Sequence, residues 1–151
     1  MPCADPQGNR RLLPGVDTVT GIEWVVEAYG CSPGLLRDVT ALEALFARIM
    51  NDLDLNSCGE ARWTTFEGAG GVTGFQVLTE SHLACHSFPE HGTLCLNLFC
   101  CRPRPDWDFA AHLRAQLGAL RVTVRRLERP LSLDASPGVM TASTIGTAAR
   151  D

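Results

Sequence analysis

The stretch from Gly71 to Glu90, GVTGFQVLTESHLACHSFPE, holds the residues whose types and spacing can do chemistry. Two apolar runs flank a polar Glu80-Ser81-His82 step, and His86 follows four residues after His82. Successive side chains on a strand alternate faces, so His82, Ala84 and His86 share one side and both imidazoles point the same way. Taken alone, a Ser-His pair between strands reads as a tight turn, because such side chains satisfy local backbone groups. A serine hydrolase is the reactive alternative. Against it, there is no Gly-x-Ser-x-Gly elbow, and His82 is a sequence neighbour rather than a partner delivered by the fold.

The rest of the composition narrows the chemistry. All thirteen basic residues are arginine, so no lysine can hold pyridoxal phosphate as a Schiff base. A covalent carbonyl sink for a carbanion would have to come from elsewhere. The net charge of −4 argues against a nucleic-acid partner, which needs a basic face. No apolar run approaches the roughly 20 residues of a membrane span, and the first residues lack the apolar stretch of a signal peptide, so a cytoplasmic protein is expected. Seven cysteines (3, 31, 58, 85, 95, 100 and 101) are odd in number and mostly lie inside apolar runs, which favours reduced, buried thiols. The Cys95, Cys100 and Cys101 spacings do not match a zinc ribbon, and no metal is expected.

These residues need elements to position them. A Pro-, Gly- and Arg-rich arm over residues 1–19 precedes a single domain over 20–130, and a Ser-, Ala- and Thr-rich stretch over 131–151 reads as a disordered tail. IEWVVEAY (22–29) is β-branched and aromatic, a strand ending at Gly30. From Asp38 to Leu53, apolar residues recur at helical spacing, with Asp38 competing against a Thr40/Glu43 capping box for the start. Strands are expected over 60–67, 72–79, 82–88 and 93–101, and a second helix capped by Asp106 carries Trp107, Ala110, Leu113 and Leu117 on one face. A last strand follows at 120–127. Runs of strands between two helices predict an α+β fold, a two-layer sandwich of antiparallel sheet with the helices on one face.

Several motifs in order resemble the bacterial S-adenosylmethionine decarboxylases, self-processing proenzymes that depend on a pyruvoyl group. They are GVTG (71–74), the apolar strand, Glu80-Ser81-His82, His86, Pro89-Glu90, the strand LNLFCC (96–101), and upstream EAYGC (27–31) with Leu35-Leu36-Arg37-Asp38. The resemblance covers roughly residues 21–128. It implies that the Ser81 hydroxyl attacks the Glu80 carbonyl, so that cleavage leaves Glu80 ending a β chain of residues 1–80 and a pyruvoyl group opening an α chain of residues 81–151. It also implies that His86 assists the elimination, that Thr73 holds the oxyanion or ester, and that Cys101 reprotonates the product carbanion. Unaided, Thr73 reads as a strand threonine, Cys101 as a small hydrophobe with Cys100 as its rival, and Phe66 and Phe88 as core residues. By resemblance the two phenylalanines sandwich an adenine ring. The implied substrate is S-adenosylmethionine, feeding spermidine synthesis, and the implied assembly is a homodimer of cleaved protomers. A pyruvoyl-dependent ornithine or arginine decarboxylase is the alternative, with Glu27 and Glu90 as acids for a second cationic group. An uncleaved, non-catalytic homologue is the other. The chain departs from the family pattern in several places: Asn97 stands where Asp is usual, Arg102 where Gly is usual, Phe88 where Trp is frequent, Ile22-Glu23-Trp24 replaces a His-containing stretch, and Phe66–Gly71 aligns with a one-residue adjustment.

Overall fold

The structure is a computed structural model that describes residues 20–131 and 141–143; the expected arm at 1–19 lies outside the described residues. Strands β1 (Thr20–Tyr29), β2 (Arg62–Thr65), β3 (Val72–Leu78), β4 (Ser81–Phe88), β5 (Thr93–Cys100), β6 (Arg121–Pro130) and β7 (Thr141–Ser143) form one sheet in the order β2-β3-β4-β5-β1-β6-β7. Every neighbouring pair is antiparallel. Helices α1 (Pro33–Arg37), α2 (Val39–Asp52) and α3 (Phe109–Leu117) cover one side, which is the expected two-layer α+β sandwich.

Period-two burial sorts the strands between the two faces. Ile22, Trp24, Val26 and Ala28 of β1 meet Leu83 and Cys85 of β4 and Leu94, Leu96, Leu98 and Cys100 of β5 beneath the helices. Against them α2 buries Leu42, Leu45, Phe46 and Ile49, and α3 buries Phe109, Ala110, Leu113 and Leu117. The Trp24 and Phe109 rings sit 6.4 Å apart at the centre of this layer. The opposite face carries Glu23, Val25, Glu27, Thr73, Phe75, Val77, His82, His86, Asn97 and Phe99; no helix among the described residues covers it, and Phe75 and Val77 are 41% and 45% exposed.

Local differences from expectation have physical causes. Asp38 caps α2 by accepting from the Thr40 amide, so the Thr40/Glu43 box does not form; the short helix α1, opened by Pro33 at its first position, places Asp38 there. Asp108, not Asp106, caps α3 by accepting from the Ala111 amide. Within the expected disordered tail, Thr141–Ser143 forms β7 against Val124–Arg126, where β6 offers an open edge; the remainder of 132–151 lies outside the described residues. Of the thiols expected to be reduced, Cys31, Cys85, Cys95, Cys100 and Cys101 are free, whereas Cys58 is disulfide-bonded. Gly74 of β3 is required by contact: a Cβ there would run into the Trp63 indole, which lies over it from β2.

Candidate active site

The β3–β4 hairpin organises the site. Its turn is Thr79-Glu80, closed by the Leu78–Ser81 pair, and Ser81 begins β4 opposite Cys100 of β5. The turn is held from outside, because the Thr79 amide donates to the Asn56 carbonyl at 2.9 Å. At its base, Ser87 Oγ accepts from the Val72 amide at 2.8 Å and donates to the Leu36 carbonyl at 2.7 Å, locking the hairpin to α1.

Glu80, Ser81 and Cys101 converge at the turn. The Cys101 amide donates to the Glu80 carbonyl at 2.8 Å, so a fixed N–H is aimed at the oxygen of the Glu80–Ser81 peptide. Ser81 has φ of 150°, in a region that residues with a side chain avoid, and such a conformation persists only where its surroundings enforce it. The Glu80 carboxylate is 7% exposed. Arg104 grips it with two donors, Nε on Oε2 at 2.9 Å and Nη2 on Oε1. The two cysteines that end β5 separate here. Cys100 is fully buried in the helix-side core, and burial above all, with the nearby Glu80 charge, pushes its thiol up to about 12. Cys101, one residue on, lies past the strand end and is partly exposed.

Thr73 and His86 meet at the other end of the hairpin. They are cross-strand partners on the uncovered face, with Thr73 Oγ1 2.5 Å from His86 Nδ1. Phe88 and Phe66 flank this imidazole, their ring centroids 4.5 Å and 5.5 Å from it, and Phe66 is 48% exposed. Both phenylalanines therefore stand apart from the buried core. At about 3.3 Å per residue, the five residues from Ser81 to His86 separate the two groups by roughly 16 Å. One protomer thus brings Glu80, Ser81 and Cys101 together, and separately Thr73, His86, Phe66 and Phe88, but not the two sets.

The remaining candidates are less central. Glu27 lies two strands from His86 in the same cross-strand row, with Cys95 between them, and Arg125 ion-pairs with it. Cys95, weighed in the sequence only as a metal ligand or buried thiol, is a partly exposed thiol beside His86 whose pKa is raised by burial and by Glu27. Glu90 is exposed on the 3-10 turn Pro89–His91. His82 takes part in a chain of contacts instead: its Nε2 lies 3.1 Å from Asn97 Oδ1, Asn97 Nδ2 donates to Glu23 Oε1 at 2.7 Å, and Arg129 donates to Glu23 Oε2 at 3.0 Å. An amide oxygen only accepts, so His82 Nε2 carries the proton. Two departures from the family pattern, Glu23 and Asn97, are therefore one hydrogen-bonded unit. Arg104 also escaped the sequence reading; its one signal was an arginine among prolines just after the cysteine pair. No group of three or more His, Cys, Asp or Glu side chains among the described residues is arranged to hold a metal.

The sandwich is shared with a solved structure. The adenosylmethionine decarboxylase of Aquifex aeolicus superposes with a TM-score of 0.63 at 21% identity, covering 80% of this chain and 99% of that one, which establishes the fold class. The S-adenosylmethionine decarboxylase family matches residues 22–130. Among curated relatives, the S-adenosylmethionine decarboxylase proenzyme of Carboxydothermus hydrogenoformans is 32% identical over 113 residues, 73% of this chain and 86% of its own. Those of Clostridium tetani and Moorella thermoacetica are 33% and 34% identical over 108 residues, each covering 70% of this chain and 82% and 83% of theirs. The chain belongs to the S-adenosylmethionine decarboxylase family.

Proposed function

We propose that this chain is a proenzyme that cuts itself between Glu80 and Ser81 and then decarboxylates S-adenosylmethionine for spermidine synthesis. The observation that carries this reading is the Cys101 amide aimed at the Glu80 carbonyl next to a strained Ser81. Attack of Ser81 Oγ on that carbonyl carbon puts negative charge on the oxygen the amide already contacts, where a fixed donor acts without reorganisation. The Glu80–Ser81 C–N bond then breaks as the nitrogen takes up the hydroxyl proton, leaving an ester. Loss of the Ser81 Cα proton expels the Glu80 carboxylate, and water releases ammonia to leave a pyruvoyl group on residue 81.

That ketone supplies the electron sink that a chain without lysine otherwise lacks. Cys101, beside residue 81, is placed to return a proton to the substrate carbon after carbon dioxide leaves. His86, held by Thr73, is the proton-transfer group for the elimination, since an imidazole works near neutral pH. Phe66 and Phe88 offer aromatic faces for an adenine. Glu27 is engaged by Arg125 and Glu90 faces outward, so neither is set to receive a second cationic group of a basic amino acid.

The separation of the two half-sites supports a homodimer. A second copy laid on the uncovered sheet face would bring its Thr73 and His86 to the first copy's Ser81 and Cys101, and aromatic residues exposed there suit such burial. We place the reaction in the cytoplasm, with Cys101 a free thiol there and Cys58 held in a disulfide. The net charge of −4 accords with a small-molecule substrate rather than a nucleic acid.

Intact mass spectrometry under denaturing conditions tests the reading. Two chains that meet at Glu80/Ser81, the larger opening with a ketone, are expected; one full-length mass after prolonged incubation overturns it in favour of an uncleaved homologue.

A further inference from the structure

Glu80 is gripped at two points by the same short segment. The Cys101 amide holds its carbonyl at 2.8 Å, and the Arg104 guanidinium holds its buried carboxylate through Nε at 2.9 Å and through Nη2. Two residues separate these two contacts along the chain, and the segment leaves β5 directly after Cys100, the strand partner of Ser81. The main chain of Glu80 is therefore oriented at its oxygen and, through the side chain, about its Cα. A two-residue turn without glycine or asparagine has little reason of its own to present a carbonyl this way. Arg104 is itself largely covered, and a planar guanidinium fixes both direction and distance of a carboxylate.

We propose that Arg104 is a positioning residue for self-cleavage: its two-point grip on the Glu80 side chain keeps the Glu80 carbonyl on the Cys101 amide and its carbon within reach of Ser81 Oγ. This rests on the self-cleavage reading and adds to it the group that aligns the electrophile. The bond formed is Oγ–C and the bond broken is C–N, with the hydroxyl proton passing to the nitrogen; Arg104 exchanges no proton in either event. After cleavage Glu80 ends one chain and Arg104 lies in the other, so the same ion pair joins the two products.

A double-mutant cycle on the rate of cleavage tests this. Wild type, Arg104→Met, Glu80→Ala and the double variant are made by cell-free synthesis, and conversion of full-length chain to two fragments is followed by intact mass, with a melting temperature for each. Arg104→Met is expected to slow conversion at least tenfold in the wild-type background and less than twofold in the Glu80→Ala background. Arg104→Lys keeps the charge but loses the fork, and falls between wild type and Arg104→Met. If Arg104→Met converts as fast as wild type, or slows conversion by the same factor in both backgrounds, the positioning role is overturned while self-cleavage stands. If wild type itself stays whole, the self-cleavage reading falls and takes this role with it. Where Arg104→Met does not fold, Arg104→Lys decides alone: slower than wild type supports the role, equal to it overturns it.

Discussion

Thr73 Oγ1 lies 2.5 Å from His86 Nδ1 across the β3–β4 ladder, and this pair sits at the far end of the hairpin from Ser81. The hydroxyl and the imidazole hold each other in register on a sheet face that no described helix covers, flanked by Phe66 and Phe88. In the proposed reaction at Ser81, His86 would therefore come from another copy of the chain.

That requirement is testable by complementation. His86→Ala and Cys101→Ala chains, each expected to lose most decarboxylase activity alone, should recover about a quarter of wild-type activity when co-expressed. Random pairing makes half the dimers mixed, and each mixed dimer has one site with both halves intact. No recovery, with mixed dimers shown to form, would place both halves of the site within one protomer.

Ser81→Ala removes the attacking oxygen and should leave a single full-length mass at any incubation time. Cys101→Ala keeps the backbone N–H on the Glu80 carbonyl and so should still be cut, with kcat lowered on the order of 10²-fold, as for loss of a proton-transfer group. Mass spectra beside carbon dioxide release from S-adenosylmethionine separate the two effects. A Ser81→Ala chain split at the same bond would sink the mechanism.

Thiol labelling should sort the cysteines. Burial raises Cys100 from 9.0 to about 12, so at pH 8 it carries about a thousandfold less thiolate than an ordinary thiol, and Cys85 behaves alike. Alkylation of the native protein should thus mark Cys101 well before Cys100, and S-adenosylmethionine should protect Cys101. Peptide mapping after a short exposure to iodoacetamide checks both points; early labelling of Cys100 would reverse the assignment.

Asn97→Asp would set a second carboxylate where an amide now donates to Glu23 at 2.7 Å. Loss of that hydrogen bond and the like-charge contact should lower stability by about 1–3 kcal/mol. Adding Glu23→His should recover most of it, since an imidazole can donate to the new carboxylate. Chemical denaturation of the three proteins measures this; an additive, unrescued loss would show that Glu23 and Asn97 are independent.

Asp52 joins α2 to the segment entering α3, accepting from Trp107 Nε1 at 3.0 Å, and from Arg48 Nε of its own helix at 2.7 Å, and these hydrogen bonds lower its pKa from 3.8 to about 2. A depressed carboxylate pKa contributes stability that is present above pH 4 and lost as the pH falls through the folded value. Thermal melts between pH 4 and pH 2 should show a smaller acid-induced drop for Asp52→Asn than for wild type. Equal slopes would remove Asp52 from the acid response.

The alternation of the strands, the apolar stripe of α2 and the absence of lysine are local properties, so the layered α+β architecture and the need for a carbonyl sink were readable from residue order. The polar Glu80-Ser81-His82 step with His86 on the face of His82 was readable in the same way, whereas roles for His86, Thr73 and Cys101 came only through the resemblance to the family. Cap choice was less so, because Asp38 over Thr40 and Asp108 over Asp106 depend on where the chain enters each helix. Burial separates Cys100, enclosed in the core, from Cys101, partly exposed one residue on. Only the folded chain put Arg104 on Glu80 and Asn97 on Glu23, joining residues 24 and 74 apart in sequence. Only the hairpin register showed Thr73 to be the cross-strand partner of His86, and Ser81 that of Cys100. Such pairings depend on how strands align across the sheet, a long-range condition that no window of sequence contains.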